Sequence, residues 1–224
     1  MTNSPEGKFQ SGEFITALKQ ALSEIGATAL PDDALKKLAD HYEMVARWNS
    51  RLNLTRIVKP NEAARLHYAE SIFGGRFIGK AKKLLDVGSG AGFPAVPLAV
   101  ANPHLEVTAL ESNQKKSVFL KEVKDALKLA NFDVIANRLE DFDWSSYEVV
   151  TSRALDRASD IYPAMLGALR PGSTLMLYCG GEMVTELAGQ LAAGVQTETH
   201  PIPGTKGRLI ALFRAAAQPQ VAVG

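Results

Sequence analysis

Residues Leu84 to Pro94 read LLDVGSGAGFP, and this stretch decides the fold. The apolar run Lys83–Val87 has the length and composition of a short strand. Gly88, Gly90 and Gly92 then interrupt it. Behind them Ala95–Ala101 reads as a helix, with Pro94 tolerated in its first turn. Glycines at these positions let the chain turn tightly and let a ligand touch the backbone. The helix start offers free N–H groups and a partial positive charge. Strand, glycine turn and helix, in that order, suit a nucleotide-like cofactor at the carboxyl end of a parallel strand. On the glycines alone, an ordinary Gly-rich turn competes evenly with this reading.

Working outward, strands and helices keep alternating. Val107–Leu110 reads as a strand and Lys115–Leu129 as a long helix. Val134–Ala136, Val149–Ser152 and Thr174–Tyr178 are further strands, with a helix near Ser159–Leu169 between the last two. Gly194–Thr199 and Arg208–Phe213 flank PIPGTKG and read as a hairpin. The tail AAAQPQVAVG is expected to fray. Such alternation predicts an α/β fold, with a mostly parallel sheet covered by helices and ending in a hairpin.

Upstream the chain is helical. Phe14, Ile15, Leu18, Leu22 and Ile25 form one apolar stripe, and Gly26 stops it. Pro31-Asp32-Asp33 restarts the pattern, with Leu35, Leu38, Tyr42, Val45 and Trp48 on one face. A third helical segment is expected near Asn61–Phe73. Gly74-Gly75, Gly79 and Lys80, Lys82 and Lys83 mark a boundary. The expected organisation is a helical region over residues 1–80 and an α/β domain over 81–224.

Composition narrows the function. The 224 residues are 46% hydrophobic, ordinary for a globule that buries a core. A net charge of +1 gives no global field toward nucleic acid. The single cysteine, Cys179, excludes an internal disulfide or a cysteine-cluster metal site. His41, His67, His104 and His200 lack metal-ligand spacing, so no metal is expected. The start MTNSPEGKFQ has no apolar signal core, and no apolar run reaches membrane-spanning length. A cytoplasmic protein without a membrane partner, acting as a monomer, is therefore expected.

The cofactor is read from two acids. The G-x-G-x-x-G dinucleotide pattern has Phe93 at its third glycine position, which counts against a pyrophosphate-bearing ligand. Asp86, two residues before Gly88, suits a cationic cofactor with an amino group and a sulfonium better than a doubly negative pyrophosphate. Glu111, followed by Ser112, ends the second strand, where an acid accepts from ribose hydroxyls. S-adenosyl-L-methionine is the favoured cofactor, and a dinucleotide-dependent oxidoreductase is the distant alternative.

DVGSGAGFPAVPLA (Asp86–Ala99) resembles the first motif of the RsmG (GidB) ribosomal RNA methyltransferases. The likeness continues through ALESNQKKSVFL (Ala109–Leu120), NRLEDF (Asn137–Phe142) and TSRA (Thr151–Ala154). Upstream, RWNSRLNLTRI (Arg47–Ile57) and HYAES (His67–Ser71) are similar to the family's helical region. The resemblance implies a class I S-adenosylmethionine-dependent, Rossmann-like fold. It also implies transfer of a methyl group to N7 of a guanine in the decoding region of small-subunit ribosomal RNA. It implies cofactor contacts at Gly88, Phe93, Leu139, Glu140 and Arg153. The chain departs from the family's usual residues at Glu70 and Glu111 (usually Asp), Ala95 (usually Gly) and Cys179 (usually Lys).

The chemistry of the residues agrees with N7. Methylation of an exocyclic amine calls for an amide-proline motif after the fourth strand, and Thr151-Ser152-Arg153 stands there. Methylation of cytosine C5 needs a cysteine nucleophile, and the only one is Cys179. Guanine N7 carries a lone pair and no proton, so positioning suffices. Arg153 either orients substrate or cofactor, or pairs with Glu140 or Asp141. RNA contacts are expected from Arg47, Arg51, Arg56, Lys59 and His67, in a stretch poor in acids, and from Lys115 and Lys116 at a helix start. The other lysines of that helix read as a solvated face, and Tyr42 and Trp48 as core. A methyltransferase acting on another RNA or a small molecule, or a binding module without catalysis, are the alternative functions.

Overall fold

The computed structural model describes residues 5–153, 158–191 and 193–216. Ala154 of the TSRA motif and most of the C-terminal tail lie outside the described residues. The chain opens with α1 (Pro5–Glu24) and α2 (Asp32–Leu52). Gly26 takes φ +66° between them. Asn53 ends α2 in the left-handed conformation, where its N–H reaches the carbonyl of Asn49. The third helical segment runs from α3 (Pro60–Ala63) through a π-helical stretch, Ala64–Ala69, into α4 (Glu70–Gly74).

The α/β part follows as β1 (Lys83–Val87), α5 (Ala95–Ala101), β2 (Glu106–Leu110), α6 (Gln114–Leu127) and β3 (Phe132–Ile135). It continues with β4 (Val149–Arg153), α7 (Ala158–Gly167), β5 (Thr174–Gly180), α8 (Gly181–Ala188), β6 (Val195–Pro201) and β7 (Arg208–Ala215). The strands form one sheet in the order β3-β2-β1-β4-β5-β7-β6. β1 to β5 pair in parallel, and β7 joins β5 and β6 in antiparallel register. The order reverses between β1 and β4, and a cleft opens at the carboxyl ends of strands on either side of such a switch point.

Successive strand residues face opposite sides of the sheet. Leu84 joins a core that also takes in Phe14, Leu18, Leu35, Leu38 and Phe119, while Leu85 and Val87 join Val150, Met165, Leu175 and Phe213. The first of these cores runs unbroken from the N-terminal helices into the sheet. Phe14 stacks on Tyr42 at 4.7 Å and meets Tyr68 edge-on at 4.8 Å. Burying one such side chain is worth about 1.5–3 kcal/mol, so this cluster pins the three helical segments to one face.

Several elements differ from the sequence reading, among them α8, β5 and β3, which runs Phe132–Ile135. α8 is not anticipated, because it is short and buries only Leu187, too little for a visible period. β5 extends to Gly180, since its antiparallel partner β7 continues the ladder through Cys179 and Gly180.

Candidate functional site

A cleft of about 540 Å³ lies at the carboxyl ends of β1, β2 and β4. Its floor is the glycine loop. Gly88, Gly90 and Gly92 take φ of +73°, +54° and +90°, values that favour glycine. The N–H of Gly88 donates to the carbonyl of Leu110 at 2.8 Å, drawing the loop toward β2. The N–H of Gly90 donates to Oε2 of Glu111 at 2.8 Å, and Asn113 N–H donates to Oε1 at 2.8 Å. Glu111 is thus held rigid at the end of β2 and still lines the cleft, where each oxygen keeps a second lone pair for a hydroxyl. Asn113 also caps α6, accepting from the N–H groups of Lys115 and Lys116.

Gly88, Gly90, Phe93, Glu111, Ser112, Leu139, Glu140 and Arg153 all line this one cleft, as do His67 and Lys116. Asp86 and Gly92 do not. Asp86 is fully buried, and neither carboxylate oxygen finds a partner of good geometry. Burial pushes its carboxyl up to about 7, with the nearby Ser89 hydroxyl and Ala95 N–H pulling weakly the other way. Gly92 is a packing glycine, since a Cβ there would lie 2.8 Å from Cγ2 of Val96 and 3.3 Å from Nε2 of His41.

The side wall is a chain of three polar residues. Nη2 of Arg153 donates to the carbonyl of Leu66 at 2.7 Å and to Nδ1 of His67 at 2.8 Å. His67 stacks on Phe93 with ring centroids 4.5 Å apart, and its Nε2 lies 2.8 Å from Oγ1 of Thr55. Burial, with the Arg153 charge adding to it, pushes the His67 pKa down to about 3, so the ring is neutral. Arg153 pairs with neither Glu140 nor Asp141. Among the described residues, the carboxylate it pairs with is Glu70, 4.0 Å away, which Arg208 approaches to 2.9 Å.

The remaining basic residues scatter. Arg47 and Arg51 line a separate groove between α2 and α6 together with Trp48, Glu122 and Asp125. Arg56 and Lys59 are exposed on the segment from α2 to α3, with Lys59 3.7 Å from Glu62. Lys115 is exposed, off the cleft wall. Cys179 does not line the cleft, and burial pushes its thiol up to about 11.

Thr55, Asn137, Arg138 and Ile161 line the cleft without having been singled out as site residues. Thr55 lies within RWNSRLNLTRI, and nothing in that stretch of sequence marks it as a site residue. The Asn49 side chain accepts from the Thr55 N–H at 2.8 Å and donates to its carbonyl at 2.9 Å. Among the described residues, no three His, Cys, Asp or Glu are placed to hold a metal ion. No described helix is long and apolar enough to cross a membrane.

Comparison with known proteins extends the geometry. Among solved structures the chain resembles cofactor-bound Rv0187 from MTB, with a TM-score of 0.59 and 19% identity over 82% of this chain and 91% of that one. It resembles a SAM-dependent O-methyltransferase from Thermotoga maritima at TM-score 0.51 and 15% identity, covering 79% and 73%. These likenesses show the class I methyltransferase fold. In sequence it is 35% identical to the ribosomal RNA small subunit methyltransferase G of Solibacter usitatus, over 81% of this chain and 88% of that protein. The protein of the same name from Limosilactobacillus reuteri is 31% identical, over 90% and 91%. The model of the family described as "GidB: rRNA small subunit methyltransferase G" matches residues 34–201, from the first turn of α2 to the end of β6. That span takes in the glycine loop, Glu111 and the Thr55–His67–Arg153 wall alike, and the chain belongs to this family.

Proposed function

We propose that this protein transfers a methyl group from S-adenosylmethionine to N7 of a guanine in small-subunit ribosomal RNA. The observation that carries the choice of N7 is that both ring nitrogens of the cleft's His67 are already hydrogen-bonded. His67 is therefore not free to remove a proton, and an N7 acceptor has none to give up. A cytosine C5 acceptor would need a thiolate, and Cys179 is off the cleft with its thiol pushed toward the protonated form.

The cleft fits the cofactor. Its volume lies within the range of small-molecule sites. Room beside Gly90 supports a close backbone approach, for a Cβ there would meet nothing nearer than the Gly88 carbonyl at 3.8 Å. Glu111 would hold the ribose hydroxyls, and Leu139 would cover the adenine. Arg153 would face the methionine end, its guanidinium aimed by the carbonyl of Leu66 and Nδ1 of His67. Bound S-adenosylmethionine supplies a methyl group made electrophilic by its sulfonium. The chain's own residues orient the acceptor and exclude water. Lys116 and Arg138 at the rim supply positive charge for RNA phosphates.

We infer further that residues 1–80 form a helical cap on the methyltransferase domain, and that the protein acts as a monomer in the cytoplasm. Among the described residues only Val58 and Val118 are large exposed hydrophobics, which supports a surface without a large apolar interface. Labelled methyl transfer onto small ribosomal subunits and onto their naked RNA, followed by nucleoside identification, tests the function. The expected product is 7-methylguanosine. Any other methylated nucleoside overturns the proposal.

A further inference from the structure

The hydrogen-bond chain along the cleft wall fixes the direction of its last proton. Arginine has only donors, so Nδ1 of His67, 2.8 Å from Nη2 of Arg153, must accept. A neutral imidazole then carries its proton on Nε2, and this N–H donates to Oγ1 of Thr55 at 2.8 Å. The main-chain N–H of Ile57 donates to the same oxygen at 3.0 Å. A hydroxyl has two lone pairs and one proton. Both lone pairs of Thr55 are filled, so its hydroxyl is left as a donor only, and among the described residues no acceptor meets that proton. Thr55 lines the cleft, and Asn49 clamps its main chain on both sides, so the donor is aimed by fixed neighbours.

A donor that cannot turn into an acceptor selects its ligand. On the edge of guanine that carries N7, the neighbouring group is O6, an acceptor. On adenine the same place holds an amino group, a donor. We propose that Thr55 is a specificity-determining residue, whose hydroxyl donates to O6 of the guanine that is methylated at N7. The proposal rests on the N7 reading above and adds to it a reason why the base is guanine. Arg153 and His67 act here as positioning residues, since they set the direction of the Thr55 proton without touching the base.

The test compares two substrates that differ at O6. One is small-subunit RNA with guanine at the methylated position. The other carries 2-aminopurine there, which keeps N7 and the 2-amino group and lacks O6. Wild-type protein is expected to prefer guanine by about 10- to 100-fold in kcat/KM, the size expected when a buried donor is left unpaired. Thr55→Val should lose about that factor on guanine and treat both substrates alike. Thr55→Ser, which keeps the hydroxyl, should restore the preference. Equal wild-type rates on the two substrates overturn the proposal, and so does a Thr55→Val variant that still discriminates. A Thr55→Val variant whose affinity for S-adenosylhomocysteine falls while its discrimination survives assigns the hydroxyl to the cofactor instead. If wild-type protein yields a product other than 7-methylguanosine, the N7 reading itself fails. If the product is 7-methylguanosine and discrimination survives in Thr55→Val, only the Thr55 proposal falls.

Discussion

Nε2 of His41 donates to the carbonyl of Ala91 across 3.0 Å, so a residue of α2 holds the glycine loop of β1 from behind. The Tyr68 hydroxyl donates to Nδ1 of the same ring at 3.0 Å, which fixes a neutral imidazole. The glycine loop of the α/β part is therefore shaped in part by the helical part, through one fully buried side chain.

This makes a pH prediction. Burial pushes the His41 pKa down to about 3 from an ordinary 6.5, while the unfolded chain takes up the proton at the ordinary value. The stability this ring contributes is complete above pH 6.5 and is lost as pH falls toward 3, at about 1.4 kcal/mol per pH unit. His67 behaves alike, whereas Asp86, pushed up to about 7, has the opposite sign and offsets one of the two. His41→Gln isolates the effect. Urea unfolding should show the variant less stable by about 1–3 kcal/mol at neutral pH, with the gap to wild type narrowing as pH falls. A constant gap would mean that the ring titrates alike in the folded and the unfolded chain.

The glycines of the loop separate by role. Gly90 lines the cleft at φ +54°, so a β-branched side chain there both strains the backbone and enters the ligand's space. Gly90→Val should lower the affinity for S-adenosylhomocysteine in calorimetry by more than about tenfold, a cost of at least 1.4 kcal/mol. Gly92→Ala should act first on stability, by about 1–3 kcal/mol, because its methyl group meets Val96 and His41 in the core. Unchanged ligand affinity in folded Gly90→Val would remove the loop from the binding site.

Most of the sheet was legible because strand and helix periods alternate cleanly from Lys83 onward, and the glycines mark the switch between them. The cleft's floor followed from the same stretch. Its side wall did not. His67 and Arg153 are 86 positions apart in the chain, and nothing local pairs them. They meet at the π-helical stretch Ala64–Ala69, where the Leu66 carbonyl also accepts from Arg153. Asp86 stands apart from the cleft wall for a related reason. Its spacing from Gly88 suggested a ligand contact, yet the strand's alternation turns its carboxylate into the protein.

Arg51 and Arg56 flank the cleft residue Thr55 in sequence but occupy different surfaces, one in the groove beside Trp48 and one exposed. If both touch phosphates, reversing them to Glu should weaken binding to small-subunit RNA. The slope of log affinity against log salt should flatten by about 1.4 for two contacts on single-stranded RNA. Affinity for S-adenosylhomocysteine should not change, because neither residue lines the cleft. An unchanged slope would assign both guanidiniums to solvent.

Cys179 separates the positioning mechanism from covalent catalysis. A cytosine C5 enzyme must first attack the ring with a thiolate, and thiolate is what this position disfavours. Burial pushes the thiol up to about 11, so at neutral pH it stays protonated. Its place in β5, opposite Leu209 of β7, keeps it off the cleft wall. Cys179→Ser changes little volume and removes the nucleophile. The variant should retain most of its methyl transfer, within about threefold of wild type, since a half-buried residue outside the site perturbs it only slightly. Its product should keep the mass and chromatographic behaviour of 7-methylguanosine, a nucleoside with a fixed positive charge on the purine. Loss of turnover with cofactor affinity intact would point to the thiol as nucleophile, and a 5-methylcytidine product would establish that directly. Either result would replace the lone-pair displacement at N7 with a covalent route.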